Sequence, residues 1–316
     1  FVPDIIFLHR YLQLVSNGTL EKNLLVEDFL KLKKKRMFSG VQVIAVSTYP
    51  EGDFVGCPAD CHYCPKEPEK TFNVRVINTK INTENQTIKI KVVNINPEDL
   101  YFTRVINKIY YQDQEIEILN VYSNRTITAL VFSLEQWKQL FKNSYPTPHT
   151  VLKVYKTAQP RSYMSEESAV KRANNQGWDC VAQFRDIAAK KIKCGHHITK
   201  VDGIVIGGTW SYYPKDYQKK FIRDFYYAAN TLYDDLPLRE KKSMEEEIHD
   251  NQTTECRIIG LCLETRPDFI TPTEIRYLRS YGCTRVQIGV QHTDDDILNY
   301  INRKCPHHKT IKAIKL

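Results

Sequence analysis

Three cysteines stand close together in Cys57-Pro-Ala-Asp-Cys61-His-Tyr63-Cys64, a C-x3-C-x2-C spacing that follows the apolar run Val41-Gln-Val-Ile-Ala-Val46. Thiolates are soft ligands. Three of them on one short loop can hold three irons of a [4Fe–4S] cube and leave the fourth iron open. The competing chemistry is structural zinc, which takes four ligands, usually from paired C-x2-C units. No second C-x2-C exists here, although His62 offers a fourth donor. The spacing favours a cluster on Cys57, Cys61 and Cys64.

Other chemistry-bearing residues sit where apolar runs end. Gly207-Gly208-Thr209 closes one such run, and paired glycines let the polar head of a ligand meet backbone groups directly. Glu264 closes another. A partly buried carboxylate needs partners, either hydroxyl and ammonium groups of a ligand or an ion pair with Arg266. Gln291 alternates with Gly289 and Gln287, opposite Val286, Ile288 and Val290, which assigns it to a polar face. Cys180, Cys194, Cys256, Cys262 and Cys283 have no ligand spacing and read as small core hydrophobes. Cys305-Pro-His307-His308 has metal-binding residue types without a standard spacing.

The elements that must position these residues follow from periodicity. Residues 5–15 and 24–32 have helical spacing, broken at Asn17-Gly18, and the basic run Lys31-Leu-Lys-Lys-Lys-Arg36 follows. It suits either phosphate contacts or a solvated helix end. Residues 41–47 read as a buried strand. Residues 70–158 change character. Alternating runs 71–77 and 87–93 flank a polar turn 78–86, a helix is expected from Asn96-Pro97, and strands at 115–121 and 126–132 come next. Ser133-x-x-Gln136 then opens a short helix with Leu134, Trp137, Leu140 and Phe141 inward. From Gln159 strand and helix alternate. Ser165-Glu166-Glu167 caps a helix, 180–194 is a second ending at Gly195, and 214–232, 272–281 and 294–302 are others. Strands are expected at 201–207, 257–264 and 285–291, and 234–255 reads as a charged loop. Continuous apolar strands alternating with helices predict a parallel α/β sheet. Such sheets carry their chemistry at the carboxyl ends of the strands, where the cysteine loop, Gly207, Glu264 and Gln291 all fall.

The chain has 316 residues, 42% hydrophobic, with nine cysteines and net charge +8. The positive surplus lies beyond the cysteine loop and is compatible with RNA binding. Grouped cysteines suggest a reducing compartment. No apolar run approaches a membrane span and the N-terminal stretch lacks a signal-peptide pattern, so a cytoplasmic protein without membrane contact is expected.

The cysteine loop resembles the radical-SAM signature, in which the open iron binds S-adenosyl-L-methionine (SAM). A longer set of segments resembles the catalytic third subunit of the Elongator complex, a radical-SAM tRNA-uridine acetyltransferase family. These are Cys57 to Pro65, Gln159-Pro-Arg-Ser-Tyr-Met-Ser-Glu-Glu167, Val205-Ile-Gly-Gly-Thr-Trp210, Tyr213-Pro-Lys-Asp-Tyr217, Leu263-Glu-Thr-Arg-Pro-Asp268 and Tyr281-Gly-Cys-Thr-Arg-Val-Gln-Ile-Gly-Val-Gln291. The resemblance implies an α/β fold, a partial radical-SAM (βα) barrel with parallel strands plus a small inserted β-rich module. Its expected parts are a helical basic segment 1–37, a radical-SAM core 38–69 and 159–316, and the insert 70–158. It implies a [4Fe–4S] cluster on Cys57, Cys61 and Cys64, with SAM against Tyr63, Gly207, Gly208, Thr209, Glu264, Arg266 and Gln291. It further implies acetyl-CoA as acyl donor, with a lysine before Gly195-His196, where Lys193 stands beside Ile192. The expected product is a carboxymethyl group on C5 of wobble uridine 34, and the expected partners are tRNA and other Elongator subunits. The family's chain continues through further barrel strands and an acetyltransferase domain, so this chain is expected to be a fragment, an interrupted gene or a decayed copy. Two other readings stand beside it: a tRNA-binding remnant without chemistry, and a radical-SAM reaction of the porphyrinogen-decarboxylase type.

Overall fold

Alternation in Val41–Ser47 sends Ile44 and Val46 to one face, where both are fully buried. The strand is the first of a parallel sheet. The computed structural model describes residues 4–31, 39–49, 56–67, 70–95, 106–123, 127–156 and 158–316. The chain divides into two units, the first from 1–49, 56–64 and 175–316 and the second from 50–55 and 65–174. Most of the basic run up to Arg36 and the helix expected from Asn96-Pro97 lie outside the described residues.

In chain order the first unit begins with α1 (Asp4–Ser16), α2 (Leu24–Leu30) and β1 (Val41–Ser47). Leu8 is buried, whereas Leu24, Leu25 and Phe29 of α2 are exposed, so the apolar spacing of 24–32 does not mark a buried face.

The second unit is an antiparallel sheet. Its strands are β2 (Lys70–Asn82), β3 (Thr87–Asn94), β4 (Ile106–Tyr111), β5 (Gln114–Glu117), β6 (Asn120–Ser123), β7 (Thr128–Ser133) and β8 (Val151–Lys156), in the order β5-β4-β8-β2-β3-β7-β6. β2 runs past the expected turn because a register shift between Val76 and Asn78 absorbs one residue and pairing resumes to Asn82. The strand expected over 115–121 is two strands. Phe72, Val74, Val76, Ile88, Ile90 and Val92 form the inner face and pack with Trp137 of α3 (Leu134–Phe141). Ser133 caps that helix, its hydroxyl accepting from the Gln136 N–H at 3.3 Å. Leu140 is 42% exposed and not inward, since the buried stripe steps through Leu134, Trp137 and Phe141. The next helix, α4 (Ser168–Asn175), starts later than the Ser165 cap predicts. The Ser165 hydroxyl is bonded to Glu67 Oε1 at 2.7 Å and its N–H to Glu67 Oε2 at 2.6 Å. Lys156, 1% exposed, completes this buried cluster as the ion-pair partner of Glu67.

The first unit resumes with α5 (Cys180–Lys193), capped by Asp179 and ended by Gly195 at φ +86°. Then come β9 (Lys200–Ile206), α6 (Lys215–Asn230), α7 (Met244–Asp250), β10 (Arg257–Thr265), α8 (Pro272–Ser280), β11 (Arg285–Ile288), α9 (Asp295–Tyr300) and α10 (His307–Lys315). The sheet order is β1-β9-β10-β11, every pair parallel. Ile44, Val46, Val201, Val205, Leu261 and Leu263 face Phe184, Phe221, Ile222, Phe225 and Leu278 on the helices. The region 234–255 is not all loop. Ser243 and Glu246 cap α7 reciprocally, and buried Glu247 pairs with Arg239 at 2.7 Å, so tertiary bonds fix a charged segment as helix. On the outer edge of β1, fully buried Gln183 receives the Ser47 N–H at 3.0 Å and donates to its carbonyl at 3.1 Å. No helix among the described residues is long and apolar enough to cross a membrane.

Candidate functional site

The cysteine loop follows β1 and lies against the carboxyl end of β9, where its first contact is made by backbone. Thr209 N–H donates to the Gly56 carbonyl at 2.5 Å. A Cβ on Gly208 would stand 2.0 Å from that same oxygen, and one on Gly207, at φ +147°, would stand 1.8 Å from Thr48 Oγ1. The positions that a Cβ would take at Gly207 and Gly208 are therefore filled by the protein itself. The absence of side chains at both positions admits Thr48 and the start of the loop. Tyr213 locks the joint, its hydroxyl 2.8 Å from Thr48 Oγ1. Burial pushes its phenol up to about 12, so it stays protonated.

The three sulfurs differ in their neighbours. Cys57 accepts a hydrogen bond from Thr209 Oγ1 at 3.3 Å. Cys61 is 5% exposed and has Arg303 Nη1 at 3.9 Å. Tyr63 stands beside the same sulfur, and burial together with that neighbour pushes its phenol up. Cys57 and Cys64 are partly exposed, and all nine cysteines are free thiols. Among the described residues, no group of three or more His, Cys, Asp or Glu is close enough to hold a single metal ion. The donor set fits a cluster on this test: free thiols on one loop, with N–H and O–H donors at two of the sulfurs.

The segment after α9 clasps the loop from the other side. The His62 N–H donates to the Ile301 carbonyl at 3.0 Å, and Asn302 Nδ2 donates to the Asp60 carbonyl at 2.6 Å. Arg303 then reaches Cys61 and, through Nη2, the Gly289 carbonyl at 2.5 Å. Asn302 and Lys304 adopt φ of +55° and +51°, so the backbone on both sides of Arg303 is in the left-handed region.

Glu264 is paired in register with Gln287 near the ends of β10 and β11. Burial raises its carboxyl above the usual range, and Arg303 opposes that rise. The expected alternative, an ion pair with Arg266, is not what forms: Arg266 binds Asp268 through two bonds, at 2.9 and 2.8 Å, and the Arg303 carbonyl at 3.2 Å. Gln291 does not continue the strand alternation, because β11 stops at Ile288 and Gln291 turns to φ +72°. Its amide nitrogen is still 3.4 Å from where a Gly289 Cβ would stand, beside Arg303 Nη2 at 3.2 Å. Lys193 is exposed in the last turn of α5, whereas its neighbour Lys191 donates to Gln42 on β1 at 3.2 Å. The Cys305 tract is not a ligand set. Cys305 is buried with its thiol pushed up, and His307 pairs with Asp295 at 2.8 Å. Cys180, Cys256, Cys262 and Cys283 are buried as expected; Cys194 is partly exposed.

Sequence reasoning missed Arg303, Thr48 and Asn302, and quoted Tyr213 without a role. Arg303 belongs to an unremarkable Asn-Arg-Lys stretch, and only its position beside Cys61, 242 residues away in the chain, marks it.

Comparison with known proteins adds a second line. Residues 186–316 match the family described as the Radical SAM superfamily. The tRNA uridine(34) acetyltransferase of Methanocaldococcus infernus is 36% identical over 157 residues, 50% of this chain and 28% of that protein. The protein of the same name from Dehalococcoides mccartyi is 37% identical over 150 residues, 46% of this chain and 30% of that one. Elongator complex protein 3 of Drosophila melanogaster is 33% identical over 143 residues, 45% of this chain and 25% of its own length. A solved structure of the Methanocaldococcus infernus Elp3 with an N-terminal deletion is 36% identical, covering 43% of this chain and 30% of that one, with TM-score 0.40. The chain spans less than a third of the length of these curated relatives.

Proposed function

We propose, from the premise that this chain carries a Radical SAM domain homologous to that of tRNA uridine(34) acetyltransferases and Elongator complex protein 3, that it is the radical-SAM part of a tRNA-modifying enzyme. The observation that carries the reading is the docking of a three-thiol loop on Gly208-Thr209 at the carboxyl end of β9, beside the ends of β10 and β11. Cys57, Cys61 and Cys64 would hold a [4Fe–4S] cluster. Such a cluster, with SAM bound, would supply the electron for cleavage of SAM to a deoxyadenosyl radical. Thr209 holds a lone pair of Cys57 by a hydrogen bond, and Tyr63 stands beside Cys61 at the cofactor side. Glu264, half-buried and facing the site, accepts from hydroxyl or ammonium groups of SAM, and Gln291 and Arg266 line the same mouth. Acetyl-CoA is the acyl donor, with Lys193 as its candidate contact, and C5 of uridine 34 in tRNA is the acceptor. Other Elongator subunits are the corresponding partners. In the proposed division of the chain, 38–69 and 159–316 form the radical-SAM core, 70–158 the inserted module, and 1–37 a separate N-terminal segment.

The test is anaerobic reconstitution with iron and sulfide, reduction, and addition of SAM, with 5′-deoxyadenosine measured with and without acetyl-CoA and tRNA. Expected are about four irons per chain, deoxyadenosine formation, and its stimulation by acetyl-CoA. A chain that binds tRNA in a salt-dependent way and cleaves no SAM would sink the enzymatic reading.

A further inference from the structure

Arg303 is a buried cation that forms no ion pair among the described residues. It is 5% exposed. Its guanidinium donates to a backbone carbonyl at Gly289 and reaches the Cys61 sulfur. Its Nε is buried with no hydrogen-bond partner. Among the described residues no carboxylate is within ion-pairing distance of it: the nearby Asp268 is engaged by Arg266, and Glu264 feels the guanidinium's charge without pairing with it, burial raising that carboxyl toward its neutral form. An uncompensated buried charge is costly, and breaking a buried pair is destabilising for that reason. A residue in this state signals an anion missing from its side.

We infer that Arg303 is the counter-ion and hydrogen-bond donor to the cluster at Cys61, and that it sets how readily the cluster accepts an electron. The inference rests on the cluster reading above. Guanidinium is permanently charged and presents donors in a fixed fork. Its Nη2 is held by Gly289 at the end of β11, which leaves Nη1 directed to the sulfur. Hydrogen bonds to cluster sulfurs and nearby charge set the reduction potential. Reduction adds one negative charge, so a fixed cation beside Cys61 stabilises the reduced state. Arg303 is thus a positioning and tuning residue. Its clasp, formed by Ile301 and Asn302 on the cysteine loop, ties that tuning to the end of α9.

The experiment compares the unsubstituted chain with Arg303→Met and Arg303→Lys, each measured in three ways. Melting of the chain without iron asks whether the guanidinium is structural. Iron and sulfide content asks whether the cluster forms. Electron paramagnetic resonance during a redox titration gives the point of half-reduction. Arg303→Met is expected to melt no lower than the unsubstituted iron-free chain, because the buried charge it removes has no ion pair and its loss offsets that of the bond to Gly289. With iron loaded, it is expected to require a roughly tenfold more reducing ratio, 59 mV for one electron, to reach half-reduction. Arg303→Lys recovers part of that shift, since it keeps charge and loses the fork. An unchanged half-reduction point in the methionine variant at full iron content overturns the inference, and so does a marked drop in its iron-free melting temperature. An unchanged point with weakened SAM binding also overturns it, by assigning the guanidinium to SAM. Failure of the unsubstituted chain to take up iron overturns the cluster reading itself, and this inference with it.

Discussion

Glu264 illustrates how one side chain couples the site to pH. Burial raises its carboxyl above the ordinary 4.5, so the folded chain prefers the neutral form. Its stabilising contribution is therefore complete below about 4.5 and is lost as pH rises through the elevated folded value. Glu264→Gln should raise the melting temperature of the iron-free chain at pH 8 and leave it unchanged near pH 4; an equal increment at both pH values would mean that ionisation is not involved. Glu264, like the cysteines, was legible in the sequence because it ends an apolar strand, a local signal. Its relation to Arg303 was not legible. Nor was the occupancy of the glycine pair, since Thr48 and Gly56 approach it from residues about 150 positions earlier.

Strands and helices were legible where one period dominates over a whole turn or strand, as in β9, α5 and α6. They were illegible where a long-range bond decides. Residues 243–250 have a charged surface pattern, yet Arg239 and Asn230 converge on Glu247 and hold them as a helix. β8 shows the same dependence. Lys156 at its end is buried only because Glu67, three residues past the last cysteine of the loop, meets it together with Ser165. Burial pushes the Glu67 carboxyl up, and the bonds from Lys156 and Ser165 outweigh that and hold it below its usual range. Lys156→Met leaves a buried carboxylate without its cation and should cost about 3–5 kcal/mol in urea unfolding. Replacing both partners, Lys156→Met with Glu67→Gln, should recover much of that loss. A single variant as stable as the parent would show the pair to be solvated in solution.

At the scale of the molecule, two sheets of opposite character each have their own core. The change of pattern near residue 70 announced the second in advance, because alternation with polar turns differs from continuous apolar strands. Trp137 is fully buried in the antiparallel unit, while Trp178 and Trp210 belong to the parallel one. Guanidinium unfolding followed by fluorescence should show two transitions, and Trp137→Phe should remove the signal of one. Coincident transitions by every probe would show instead that the units unfold together. The parallel sheet is also asymmetric. Along β1, Gln183 takes up both backbone groups of Ser47, and Lys191 reaches Gln42. A neighbouring strand would have to displace a side-chain amide that already imitates one. The edge of the sheet beside the cysteine loop is thus closed to strand pairing at Ser47, by a side chain of the chain's own α5.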